Sequence, residues 1–201
     1  EGFRDFITDE DMEESRGLFD GKLPDKSGDD KWMELTVGVP EGMRVWGKVV
    51  EETGAMTVRV AGSLEGVPVE AMVETIEGID FEFRKSWDKS CLKLEKLASQ
   101  GSNDIITWLV DFPWPMSDRE YVLRRRLDNL DDGSSVSISR VVTESSAYIA
   151  LDPSLVRIDD FVQYAAARPL PDGKGVHFHL LYRNDLKAPV PKWVVTWFSK
   201  V

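Results

Sequence analysis

Phe112-Pro113-Trp114-Pro115-Met116-Ser117-Asp118-Arg119-Glu120-Tyr121-Val122 joins an aromatic-proline loop to the start of a strongly patterned strand. Prolines on both sides of Trp114 fix φ at those positions and remove two backbone donors. Residues 111–117 therefore read as a stiff turn between two strands, with an aromatic held at its tip. Period-two alternation on the flanking strands puts Ile106, Trp108 and Val110 on one face, and Tyr121, Leu123, Arg125 and Leu127 on one face of the next strand. If these faces point inward, one arginine and two aromatics lie among aliphatics. From pattern alone the simpler reading is an ordinary core in which Trp108 and Tyr121 merely pack.

Outward from that turn, β signals dominate the chain. Segments 32–37, 43–49 and 56–61 are short, β-branched or aromatic, and separated by Gly/Pro turns, as expected of three antiparallel strands. Segments 91–97, 105–110, 121–127, 136–142, 156–166 and 176–182 add six more, giving nine. Alternation along 156–166 with Val156 and Ile158 facing inward sends Phe161 outward unless a bulge intervenes. Between the two groups of strands, residues 67–76 carry helical spacing opened by Pro68. Residues 8–19 have a Thr8 cap, acids in the first turn and Gly17 near the end, the order of a helix; with the polar link of residues 21–31 this makes an N-terminal helix and linker. Residues 189–201 read as a proline-opened helix with Val190, Trp193, Val194, Trp197, Phe198 and Val201 on one stripe. The expected class is α+β, one domain over residues 1–201.

The chain has 25 Lys and Arg against 36 Asp and Glu, a formal net charge of −11. Nucleic-acid binding draws its affinity from basic surface, so such a partner is argued against, and permanent residence on anionic lipid is disfavoured. Cys91 is the single cysteine, cannot form an internal disulfide and suits a core thiol in a cytoplasmic protein. No apolar run reaches the roughly 18 residues of a membrane-spanning helix. A soluble monomer is expected. The chain opens on Glu1 without an initiator Met, which suits an excised domain or a processed product.

Conventional catalysis finds little support. The two histidines, His177 and His179, share one face of a strand, but no Cys, Asp or Glu completes a ligand set beside them, so no metal site is assigned. Hydrolase, nucleotide-binding and dinucleotide motifs are absent from the sequence. No obvious base occupies the inward-facing positions, so no catalytic residue and no cofactor are assigned.

The turn followed by Asp118-Arg119-Glu120-Tyr121-Val122 resembles the hallmark of START domains, the steroidogenic acute regulatory protein-related lipid transfer family. So does the order of helix, three strands, helices, six strands and terminal helix. The resemblance implies a helix-grip fold, in which a curved nine-stranded antiparallel sheet and a C-terminal lid helix enclose a lipid cavity. Phe83-Arg84-Lys85-Ser86-Trp87-Asp88 is similar to a motif of the phosphatidylcholine-carrying branch, whose arginine contacts the lipid phosphate. It places Arg84 on phosphate, where a guanidinium offers a bidentate fork; an ion pair with Asp88 is the structural alternative. The same branch encloses choline in three aromatics, which fall here at Trp108, Tyr121 and Phe161, the last a tyrosine in the family. Sterol-carrying members pair an inward acid with an inward arginine on the next strand. Here Arg125 holds the arginine's place while Ile106 stands at the acid's, so Arg125 needs another anion, a lipid phosphate or Asp159, which favours phospholipid over sterol. The loop with Trp114 and Met116 and the terminal helix with Trp197 and Phe198 would form the gate and touch the membrane transiently, under a roof shorter than usual for the family. The implied function is transfer of one phospholipid, phosphatidylcholine favoured, between membranes. The alternatives are a lipid-sensing regulatory domain of a larger protein and a carrier of sterol or ceramide.

Overall fold

In the computed structural model, which describes residues 6–21, 23–24, 32–36, 38–49 and 55–187, the 111–118 turn joins two long antiparallel strands of a ten-stranded sheet. The elements run α1 (Asp9–Arg16), β1 (Met33–Leu35), β2 (Met43–Val49), β3 (Met56–Glu65), α2 (Val69–Glu77) and α3 (Phe81–Trp87). They continue with β4 (Cys91–Gln100), β5 (Asn103–Val110), β6 (Arg119–Asn129), β7 (Ser135–Val141), β8 (Val156–Arg157), β9 (Phe161–Pro169) and β10 (Gly175–Asn184). The sheet order is β1-β2-β3-β10-β9-β7-β6-β5-β4, so the late strand β10 closes the gap between the first three strands and the rest. The prediction that residues 8–19 and 67–76 start helices holds; α2 opens behind Pro68 without a side-chain cap, whereas α1 and α3 are capped by side chains. Thr8 accepts from the Asp11 N–H while the Asp11 carboxylate accepts from the Thr8 N–H, a reciprocal cap for α1. Asp80 caps α3 by accepting from the Phe83 N–H at 2.9 Å.

The sheet is covered on both faces. On the convex side, Met12 and Leu18 from α1 and its exit join Ile7, Val136, Ile138 and Ala166. On the concave side α2 sets Val69 and Met72 against Ala167, Val176 and Phe178. Gly78 lets the chain leave α2 tightly, because a Cβ there would stand 2.3 Å from the Glu74 carbonyl oxygen.

One expected strand is broken. Residues 156–166 divide into β8, which lies parallel to β6, and β9, which lies antiparallel between β7 and β10. The acids between them are the physical reason: continuing the strand with Val156 and Ile158 inward would bury the Asp160 charge, whereas the break lets Asp160 pair with Arg183 at 2.7 Å and Asp159 with Lys187 at 2.6 Å. The break resets the alternation, so Phe161 turns inward and is buried, contrary to the outward direction expected from one continuous strand. The expected lid helix of residues 189–201, with Trp197 and Phe198, lies outside the described residues.

Candidate functional site

The concave face and the α2–α3 connection enclose a cavity of about 430 Å³, counting its open mouth. The ladder supplies its wall. Trp108 stands opposite Tyr121, Ile106 opposite Leu123 and Asp104 opposite Arg125, so the two faces read from the sequence do line up on one side. Ile106, Trp108, Leu123 and Arg125 line the cavity from β5 and β6, Phe161 and Gln163 from β9, Glu77 from the end of α2, and Arg84 from α3.

Three of the expected aromatics form one contiguous group. The Trp108 and Tyr121 centroids are 5.0 Å apart, and Phe161 meets Tyr121 edge-on at 5.4 Å. Trp108 and Phe161 line the cavity, whereas Tyr121, only 2% exposed, sits behind them. Its hydroxyl accepts a hydrogen bond from Asn184 Nδ2 at 2.8 Å, and burial pushes the phenol up to about 12.

Arg84 donates from Nη2 to the Ile76 carbonyl at 2.8 Å and stacks over the Trp87 ring at 4.6 Å. Its remaining guanidinium donors bond nothing among the described residues. The alternative of an Asp88 ion pair is not realised: the Asp88 carboxylate accepts instead from the Ser90 hydroxyl at 2.6 Å and the Ser90 N–H at 3.1 Å. Burial pushes the Arg84 guanidinium below its ordinary value, opposed by the charge of Asp88 and of Glu77.

Arg125 overturns an expectation. It is paired, through Nη2 to Asp104 Oδ2 at 3.0 Å, and also donates to the Glu77 carbonyl. The acid stands two residues before Ile106 on the same face, one step along the ladder. Burial alone would raise the Asp104 carboxyl, yet hydrogen bonds from Ser99, Arg125 and Lys96 hold it below the usual range. Asp159 is committed to Lys187. Arg125 therefore needs no lipid phosphate, and the argument from it for phospholipid over sterol falls.

A second correction concerns the cavity's acid–base content. Glu77 is buried in its wall, with Oε1 accepting from the Ser137 hydroxyl at 2.7 Å and from Gln163 Nε2 at 3.1 Å. An inward carboxylate is present where none was expected. Strand alternation from Phe161 could have found Gln163, and alternation from Ile106 could have found Asp104. Glu77 carries no such signal, since its direction depends on how α2 docks.

The Asp118-Arg119-Glu120-Tyr121 run fastens the loop to the start of β6 and to β8. Asp118 accepts from the Phe112 N–H at 3.1 Å, and Arg119 covers the Phe112 ring at 4.5 Å while donating to the Leu186 carbonyl at 3.0 Å. Glu120 pairs with Arg157 at 2.5 Å. The loop they fasten raises Trp114 to 90% exposure, whereas Met116 is half-buried against the concave core. His177 and His179 lie on the opposite, convex face, their Nε2 atoms 3.1 Å apart under Phe19, remote from the cavity. Cys91 is fully buried, and burial pushes its thiol up.

A curved antiparallel sheet closed around a cavity by short helices is the architecture of a helix-grip, ligand-holding domain. The START domain model matches residues 24–201, and the chain belongs to that family, as the aromatic-proline turn implied. Among similar proteins, phosphatidylcholine transfer protein of Bos taurus is 26% identical over 162 residues, 80% of this chain and 74% of that one. The human StAR-related lipid transfer protein 7, mitochondrial, is 25% identical over 178 residues, 86% of this chain and 47% of that one. Human STARD10 superimposes with a TM-score of 0.74 at 19% identity, covering 98% of this chain and 75% of that one. Human StAR-related lipid transfer protein 5 gives 0.71 at 18% identity, covering 95% and 88%. These two structures bear on the fold. Among the described residues no helix is long and apolar enough to cross a membrane.

Proposed function

We propose that this START domain binds one phospholipid, phosphatidylcholine favoured, and carries it between membranes without covalent chemistry. The observation that carries the reading is Arg84: a guanidinium with uncommitted donors lines the same cavity as the faces of Trp108 and Phe161. A phosphate takes the guanidinium fork, and a quaternary ammonium, which cannot donate hydrogen bonds, takes aromatic faces worth about 0.5–2 kcal/mol each when desolvated. Tyr121 supports both rings from behind. Exposed Trp114 at the loop tip, with Met116 beneath it and Trp197 and Phe198 of the terminal segment, would meet the membrane during exchange. In this reading residues 1–201 act as one monomeric domain in the cytoplasm.

Native mass spectrometry of the purified protein, with identification of any co-purifying lipid, tests it. Stoichiometric phosphatidylcholine is the expected result; a sterol or ceramide in its place would overturn the headgroup assignment while leaving the fold intact.

A further inference from the structure

Glu77 ends α2 with its side chain in the cavity wall, and the residue is 6% exposed. The carboxylate accepts hydrogen bonds only from neutral groups, the Ser137 hydroxyl and the Gln163 amide, and forms no ion pair among the described residues. Arg125 on the same wall is answered by Asp104. Arg84, also on the cavity wall, feels the charge of Glu77 without contacting it, whereas Arg125 reaches only the Glu77 backbone carbonyl and spends its charge on Asp104. Among the described residues lining the cavity, the two charges without an ion-pair partner are therefore one anion and one cation.

A buried carboxylate supported by neutral donors lacks a counter-charge, and its environment is completed when a cation reaches it. We infer that Glu77 is the counter-charge for the ligand's cationic nitrogen, making the cavity a receptor for a zwitterion, with phosphate on Arg84 and ammonium toward Glu77. The inference rests on the phospholipid reading and deepens it: the ligand class narrows to phospholipids whose headgroup bears a positive nitrogen. Phosphatidic acid would satisfy Arg84 but bring a second anion to a cavity that already holds one, and like charges in a low-dielectric site repel strongly. Trp108 and Phe161 favour a cation as well, but they supply no charge; Glu77 makes the nitrogen's charge matter beyond its fit to the rings.

The test couples two charges. The full chain is titrated with vesicles bearing phosphatidylcholine or its analogue with carbon in place of the choline nitrogen, an isostere that lacks the positive charge. The wild type prefers the charged headgroup. Glu77→Gln keeps the shape and both oxygen-directed hydrogen bonds of the side chain but removes its charge, and is expected to reduce that preference about tenfold, the effect of one charge-assisted contact. An unchanged preference in a folded Glu77→Gln protein would mean that Glu77 merely ties α2 to the sheet, and overturns the inference. Should the variant fail to fold, the wild type alone decides: phosphatidic acid bound as tightly as phosphatidylcholine overturns the inference. Uptake of sterol with no binding of any of these phospholipids overturns the phospholipid reading itself, an outcome distinct from a failure of Glu77.

Discussion

Replacing Arg84 with alanine separates the scaffold from the ligand site, because the structure bounds both effects. In the scaffold the guanidinium makes one hydrogen bond, to the Ile76 carbonyl at 2.8 Å, and one ring contact, over Trp87 at 4.6 Å. Trp87 is 40% exposed, so the ring contact belongs to the weak end of its range, about 0.5 kcal/mol. The charged hydrogen bond adds about 1.5 kcal/mol, the low end for a charged donor. The loss of about 2 kcal/mol should lower the melting midpoint by roughly 4–8 °C in a chain of this size and leave unfolding cooperative. At the ligand the same substitution removes a bidentate charged pair worth about 2–4 kcal/mol, a loss of roughly thirty- to a thousand-fold in affinity. Transfer of fluorescent phosphatidylcholine between donor and acceptor vesicles, read beside a thermal melt, measures both. Arg84→Lys should fall between the two proteins, since an ammonium keeps the charge and loses the fork. Transfer undiminished in a cooperatively folded Arg84→Ala protein would refute the phosphate assignment.

Other expectations follow from the same geometry. Asp104→Asn leaves Arg125 buried with only the Glu77 carbonyl as a strong acceptor, so urea unfolding should show a loss of about 1–3 kcal/mol, below the full penalty for a buried pair because Asp104 is partly exposed. Trp114→Ser removes a side chain that is 90% exposed; stability should change by less than about 0.5 kcal/mol while vesicle binding and transfer fall, and unaltered transfer would remove Trp114 from the gate. Burial, with His177 and Arg59 adding repulsion, lowers His179 from 6.5 to about 4. The folded state thus binds fewer protons than the unfolded one: stability is complete above pH 6.5 and drains as pH falls from 6.5 to about 4. His179→Gln should flatten the melting midpoint over that window relative to wild type, and an equally steep profile in the variant would show that other groups carry the acid sensitivity.

Much of this protein was legible in the chain because the signals are local. Two prolines around Trp114 make a stiff turn wherever they stand, a Thr8 cap followed by acids starts a helix, and alternation places Trp108 and Tyr121 on matching faces before any partner is known. What only the tertiary structure decided are the interactions that span the sequence. Arg125 finds Asp104 rather than a vacancy at Ile106 because register between strands, not pattern within one, selects the opposing residue. Phe161 faces inward because Asp159 and Asp160 pair with Lys187 and Arg183 and break the strand, partners more than twenty residues away. Glu77 reaches the cavity because α2 docks its last turn against Ser137 and Gln163, and Arg84 is left with open donors because Asp88 turns to Ser90. Backbone sterics and period write themselves into a few adjacent residues, whereas the charge balance of a cavity depends on which distant side chains packing brings together.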